Sequence, residues 1–127
     1  MKKCIAFEGS RFTIEWYFDV RDRSQAREYF ENLTVEEKKK LLFLFETMAD
    51  FGKIRNEGKF RHEGDQIYAF KPLPHRFLSF FFTGSKIIVT NAFEKKVRKL
   101  PPNEKSRALS CREDYQERVK KGEYYDK

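Results

Sequence analysis

The chain has 127 residues, enough for about one domain whose core needs neither disulfide nor metal. Aromatic residues make up 17% of it, including 14 Phe, which excludes a disordered chain: disordered segments lack the large apolar side chains that offset ordering entropy. The net charge is +7, and no apolar run approaches the roughly 20 residues needed to cross a bilayer.

The opening MKKCIAF is basic but has no apolar stretch of useful length and no small-residue cleavage site, so no signal peptide is read there. The expected location is the cytoplasm, where Cys4 and Cys111 would stay free thiols. FTIEWYF (12–18), rich in β-branched and aromatic residues, is expected as the first strand. Ser24 can cap a helix over 25–33, whose Ala26, Tyr29, Phe30 and Leu33 follow helical spacing. Thr34 and Glu37 form a capping box for a second helix reaching Phe51, with Gly52 as its stop. The tight connection predicts a helix hairpin.

GKIRNEGKFRHEGDQ (52–66) reads as a polar loop. Three apolar runs follow: IYAFK (67–71), RFLSFFFT (76–83) and KIIVTNAF (86–93). Gly84-Ser85 suits a tight turn between the last two. The third run is almost continuously apolar, as expected of a central strand covered on both faces. A final helix is expected from Pro102 toward Lys121 with a thin apolar stripe of Ala108, Cys111, Tyr115 and Val119. The fold class is α+β: a small antiparallel sheet made of an N-terminal strand and a three-stranded meander, with a helix hairpin and a C-terminal helix. Residues 1–121 form the domain, and 122–127 a short tail with no structural signal.

Residues 71–107 hold nine Lys/Arg against two Glu, the whole of the net charge. A localised positive field is the footprint of a polyanion, or a solvated face. Meander geometry sharpens this. Lys71 ends one strand, Arg76 begins the next, and the antiparallel third strand returns Lys95 and Lys96 beside Arg76. Such a cluster suits RNA cleavage by the neighbouring 2′-OH, because preorganised cations stabilise the charge that builds on the phosphoryl oxygens. Arg98 and Lys99 extend the positive field toward RNA. His62 and His75 flank a strand that alone separates them by roughly 15 Å, so they are not expected to share a phosphate. His75 is either a turn residue or a single proton carrier beside Arg76. Phe70, Phe77, Phe80, Phe81, Phe82 and Phe93 read as core rather than a base-stacking platform. Tyr115 either packs or reaches the basic end with its hydroxyl. Lys38, Lys39 and Lys40 are balanced by Glu36 and Glu37 and read as a solvated face. No ligand spacing, Walker loop or dinucleotide fingerprint is present, so no metal or cofactor is expected.

The run IYAFK, HRFLSFFF, KIIVTNAFEKKVRKLPPNE, with the helix hairpin before it, resembles the RelE/ParE toxin superfamily, and within it the phage Gp49-like or HigB-like branch. The motif-bearing part is about residues 65–107. The resemblance implies a type II toxin–antitoxin toxin, a ribosome-associated, metal-independent mRNA endoribonuclease that inhibits translation. Carried over by position, Lys71, Arg76, Lys95 and Lys96 would be catalytic and Tyr115 would lie at the RNA; His75, Arg98 and Lys99, beside these in the sequence, are expected as further RNA contacts. Ala69 stands where a Glu is usual, Lys71 replaces Arg, and Asn91 replaces a frequent His. The implied partners are mRNA, the ribosome and an antitoxin, often of helix-turn-helix type. The alternatives are a ParE-like gyrase inhibitor and a non-catalytic RNA binder.

Overall fold

The computed structural model describes residues 4–96 and 99–125. In chain order these form β1 (Ile5–Glu8), β2 (Thr13–Trp16), α1 (Gln25–Glu31), α2 (Val35–Phe51), β3 (Phe60–His62), β4 (Tyr68–Phe70), β5 (His75–Phe82), β6 (Lys86–Glu94) and α3 (Pro102–Lys120). The strands make one six-stranded sheet in the order β1-β2-β6-β5-β4-β3. The expected meander is β4-β5-β6, antiparallel throughout.

The sheet is nevertheless mixed rather than antiparallel. β2 runs parallel to β6, with Thr13 opposite Lys86 and Trp16 opposite Val89. A parallel pair requires a long connection, and everything from α1 to β5 supplies it. Two edge strands go beyond the expectation. β1 has four residues and β3 three, and both carry charged or exposed side chains, a common way of blunting sheet edges.

The helix signals operate as read. Ser24 Oγ accepts the Arg27 N–H, and Thr34 and Glu37 close a reciprocal capping box. Gly52 ends α2 at φ 82°, a left-handed conformation that favours glycine, and its N–H reaches the Met48 carbonyl. Gly9 matters for closeness instead: a Cβ there would lie 2.4 Å from that of Ala49, so the β1–β2 turn can rest directly on α2.

Two cores sandwich the sheet. Ile14, Trp16, Phe70, Phe77, Val89 and Ala92 face α1 and α2, where they meet Leu41, Phe45 and Met48. Ala69, Leu78, Phe80, Ile88 and Phe93 face α3, where they meet Ala108 and Tyr115. Each large side chain so buried contributes about 1.5–3 kcal/mol. A bulge gives β6 one extra residue, Thr90, between the Leu78–Asn91 and Ser79–Val89 pairs. β6 is thus the central, doubly covered strand that its apolar run predicts.

The C-terminal segment, which carries no structural signal in the sequence, is anchored as far as Tyr125. Tyr124 is only 1% exposed, and its hydroxyl accepts the Phe18 N–H at 2.9 Å. Tyr125 donates to Glu15 at 2.8 Å and shares a 2.6 Å hydrogen bond with Tyr115. These two aromatics finish the α3-side core, which a six-residue polar sequence gave no periodicity to announce.

Candidate functional site

The basic end of the sheet follows from strand register. Phe70 lies opposite Phe77, so Lys71 and Arg76, the next residues outward, are neighbours. Arg76 lies opposite Phe93. Side chains alternate between faces, and Ala69, Leu78 and Phe93 point toward α3. Lys71, Arg76 and Lys95, each two residues from one of these, share that face. The Lys95 N–H bonds to the Pro74 carbonyl at 3.0 Å, fixing the chain where it leaves β6.

The two inner cations are buried, each 8% exposed. Lys71 Nζ donates to the Glu57 carbonyl at 2.9 Å, and its backbone N–H to that of Lys59 at 2.8 Å. Arg76 donates from Nη1 to the His75 carbonyl at 3.0 Å, while its buried Nε has no partner. Burial lowers the Lys71 pKa, and the positive charges of Arg76, Lys95 and Arg61 lower it further. Burial also lowers the Arg76 pKa. Glu63 opposes both shifts through its negative charge. Neither cation has a carboxylate at ion-pair distance among the described residues.

The remaining sequence candidates fall in different places. Lys95 is half-buried in the cluster, and Lys96 and Lys99 are exposed on the segment after β6. Arg98 lies outside the described residues. His75 does not stand with Arg76. Alternation turns its ring to the opposite face, where Nδ1 meets the Tyr29 hydroxyl at 2.6 Å and Nε2 the Glu37 carboxylate at 2.7 Å. His62 sits opposite Tyr68, in line with Ser79 rather than His75, so the two histidines stay apart. Of the two readings for Tyr115, packing is the one its surroundings fit. It is fully buried against Phe80 and Phe82, toward the end of β5 remote from Arg76, and its hydroxyl is spent on Tyr125. Burial raises its pKa to about 12. It packs, because the α3 stripe that carries it is the stripe facing the sheet.

Two side chains at the cluster went unseen in the sequence. Glu63 is the carboxylate whose charge reaches both Lys71 and Arg76, although Ala69 occupies the usual Glu position. Arg61, opposite Ala69 in β3, adds positive charge. Neither carries a local signal, because both lie in a stretch that reads as loop. Glu37 accepts from the Thr34 N–H as its capping-box reading expects, but it also accepts from His75 rather than balancing the lysines, and the His75 hydrogen bond, ahead of the Thr34 contacts, lowers its pKa to about 2.

A cleft of about 720 Å³ lies elsewhere, beside α3, lined by Tyr17, Asn91, Asn103, Cys111 and Asp114 among others. Burial, with Asp114 nearby, pushes the Cys111 thiol up to about 12, so this cleft offers no thiolate nucleophile. Among the described residues no three His, Cys, Asp or Glu side chains gather so as to hold a metal ion. Nor is any helix among the described residues long and apolar enough to cross a membrane.

The fold and this sheet end define a class, a small basic α+β protein that holds desolvated cations at a strand terminus. The family profile described as Phage derived protein Gp49-like (DUF891) matches residues 28–113, more than half of the chain, and the protein belongs to that family. Membership is consistent with a toxin of a toxin–antitoxin pair. A search of curated proteins found no match.

Proposed function

We propose that the protein is the toxin of a type II toxin–antitoxin pair and that it acts as a ribosome-associated mRNA endoribonuclease of RelE/ParE type. The observation that carries this reading is the pair Lys71 and Arg76. Two buried, adjacent cations without an ion pair are costly to maintain, and an RNA phosphate entering between them offsets that cost. In the proposed reaction the ribose 2′-hydroxyl gives up its proton to water as its oxygen attacks phosphorus, and the bond from phosphorus to the 5′-oxygen breaks, giving a 2′,3′-cyclic phosphate and a 5′-hydroxyl end. Arg76 neutralises charge on the phosphoryl oxygens as it develops. Lys71, whose lowered pKa makes it a readier proton donor than a free lysine, protonates the departing 5′-oxygen. Lys95 and Lys96 hold the flanking backbone, and Lys99 extends that track. Glu63 supports the two inner cations as a counter-charge.

The test is mapping of mRNA 5′ ends after a brief pulse of expression, wild type against Arg76→Ala. New ends inside coding regions, lost in the variant, are expected. Growth arrest with intact mRNA and damaged DNA would instead select gyrase inhibition. RNA binding that weakens steeply with salt, with neither cleavage nor arrest, would identify a non-catalytic RNA binder.

A further inference from the structure

A second basic region adjoins the sheet end. Where α2 meets the 53–59 loop, a groove of about 360 Å³ opens at the surface. Its apolar lining comes from Phe43, Leu44, Ile54 and Pro72, with Phe43 left 66% exposed. Its ionisable lining is Lys40, Lys53, Arg55 and Lys59, all exposed, with no acidic residue among them. None of the four has an ion-pair partner among the described residues. The apolar stripe continues one helical turn from Thr47 to Phe51, itself 69% exposed. A solvent-facing phenylalanine at mid-helix gains nothing where it stands.

We infer that this groove is the docking site for an acidic amphipathic segment of a protein partner, whose apolar face covers Phe43 and Ile54 while its carboxylates meet the four cations. Charge complementarity selects this occupant. A neutral apolar segment would leave the cation ring unanswered, and RNA would leave the apolar floor unused. The partner's identity as an antitoxin rests on the toxin reading above; the groove's chemistry does not. The site is continuous with the basic end: Pro72 follows Lys71, and the groove's loop supplies the Glu57 and Lys59 carbonyls that hold Lys71. A segment seated there touches the loop whose carbonyls hold Lys71.

The experiment measures fluorescence anisotropy of two labelled helical peptides of equal length with the same leucine spacing. One carries Glu on its polar face and the other Lys, and each is titrated with the full chain. The Glu peptide is expected to bind about tenfold or more tightly than the Lys peptide. Lys53→Glu/Arg55→Glu should reverse the preference, a gain of binding that a misfolded variant could not produce. Phe43→Ser should weaken the Glu peptide. Equal affinity for both peptides, or a preference unchanged in the double variant, would overturn the proposal. So would a poly(U) strand that competes with the Glu peptide and loses more affinity than it does in the double variant, which would assign the groove to RNA. None of these readouts depends on cleavage or toxicity, so loss of the nuclease reading leaves them intact.

Discussion

At the sheet end, Lys71 and Arg76 carry their charges into the interior, fixed by strand register and with pKa values lowered by burial. Around the groove, Lys40, Lys53, Arg55 and Lys59 carry theirs in solvent, on a helix and a loop. Net charge treats the two sets alike, but desolvation separates them. A desolvated, immobilised cation interacts strongly with charge that appears in a reaction, whereas an exposed one is screened and adaptable, suited to steering and docking. On the proposed reading, the first positive region serves chemistry and the second serves contact.

Substitutions can break that contrast. The largest effect is expected for Arg76→Ala, which should lower cleavage about 10³-fold, on the scale of losing an oxyanion donor. The same variant should leave Glu-peptide binding at the groove unchanged, so 5′-end mapping reads the first effect and anisotropy the second. Lys71→Gln should cost about 10²-fold. A proton-donating lysine must be protonated, so the wild-type rate should fall as pH rises through the lowered Lys71 pKa, earlier than an ordinary lysine allows. A pH–rate profile of purified protein on ribosome-bound mRNA should show that limb, and Lys71→Arg should lack it.

Smaller effects sharpen the comparison. Glu37 has its pKa lowered from 4.5 to about 2, chiefly by the His75 hydrogen bond. A carboxylate depressed by folding stabilises the native state fully above its unfolded pKa, and that contribution fades as pH falls through the folded value. Wild type should therefore exceed Glu37→Gln in urea midpoint above pH 4.5, with the gap closing toward about pH 2. The smallest effect is expected for Lys53→Gln and Arg55→Gln, which should shift stability by less than about 0.5 kcal/mol each and leave cleavage untouched. An equal loss of cleavage in these and in Lys71→Gln would erase the division between the two regions.

The sheet end was legible because its position depends only on local rules. Alternation, the short PLPH link and the antiparallel return of β6 place Lys71, Arg76 and Lys95 together wherever the rest of the chain goes. Capping at Thr34 and Gly52 was legible for the same reason. The groove was not. Lys40 and Phe43 face Lys53 and Ile54 only after α2 has docked, and Glu36 and Glu37 masked the lysines. In the structure Glu37 turns away to His75, and Glu36 lies 4.0 Å from Lys39, leaving Lys40 unbalanced. β3 escaped because three polar residues have no period to detect, and Glu63 and Arg61 escaped with it. His75 was placed beside Arg76 by sequence adjacency, which strand alternation converts into opposite faces.

The tyrosines after α3 bear on the order in which the molecule is completed during synthesis. The helix-hairpin face draws its buried residues from Ile14 to Ala92, so it can close while the last part of the chain is still being made. The α3 face cannot, because Tyr17 waits for Ala108, Tyr115 and Tyr124. Lys71 and Arg76 sit on the later face. A nascent chain therefore possesses its hairpin and its docking groove before it possesses a finished wall behind the inner cations. A partner that seats on the groove can meet the protein before the basic end is complete.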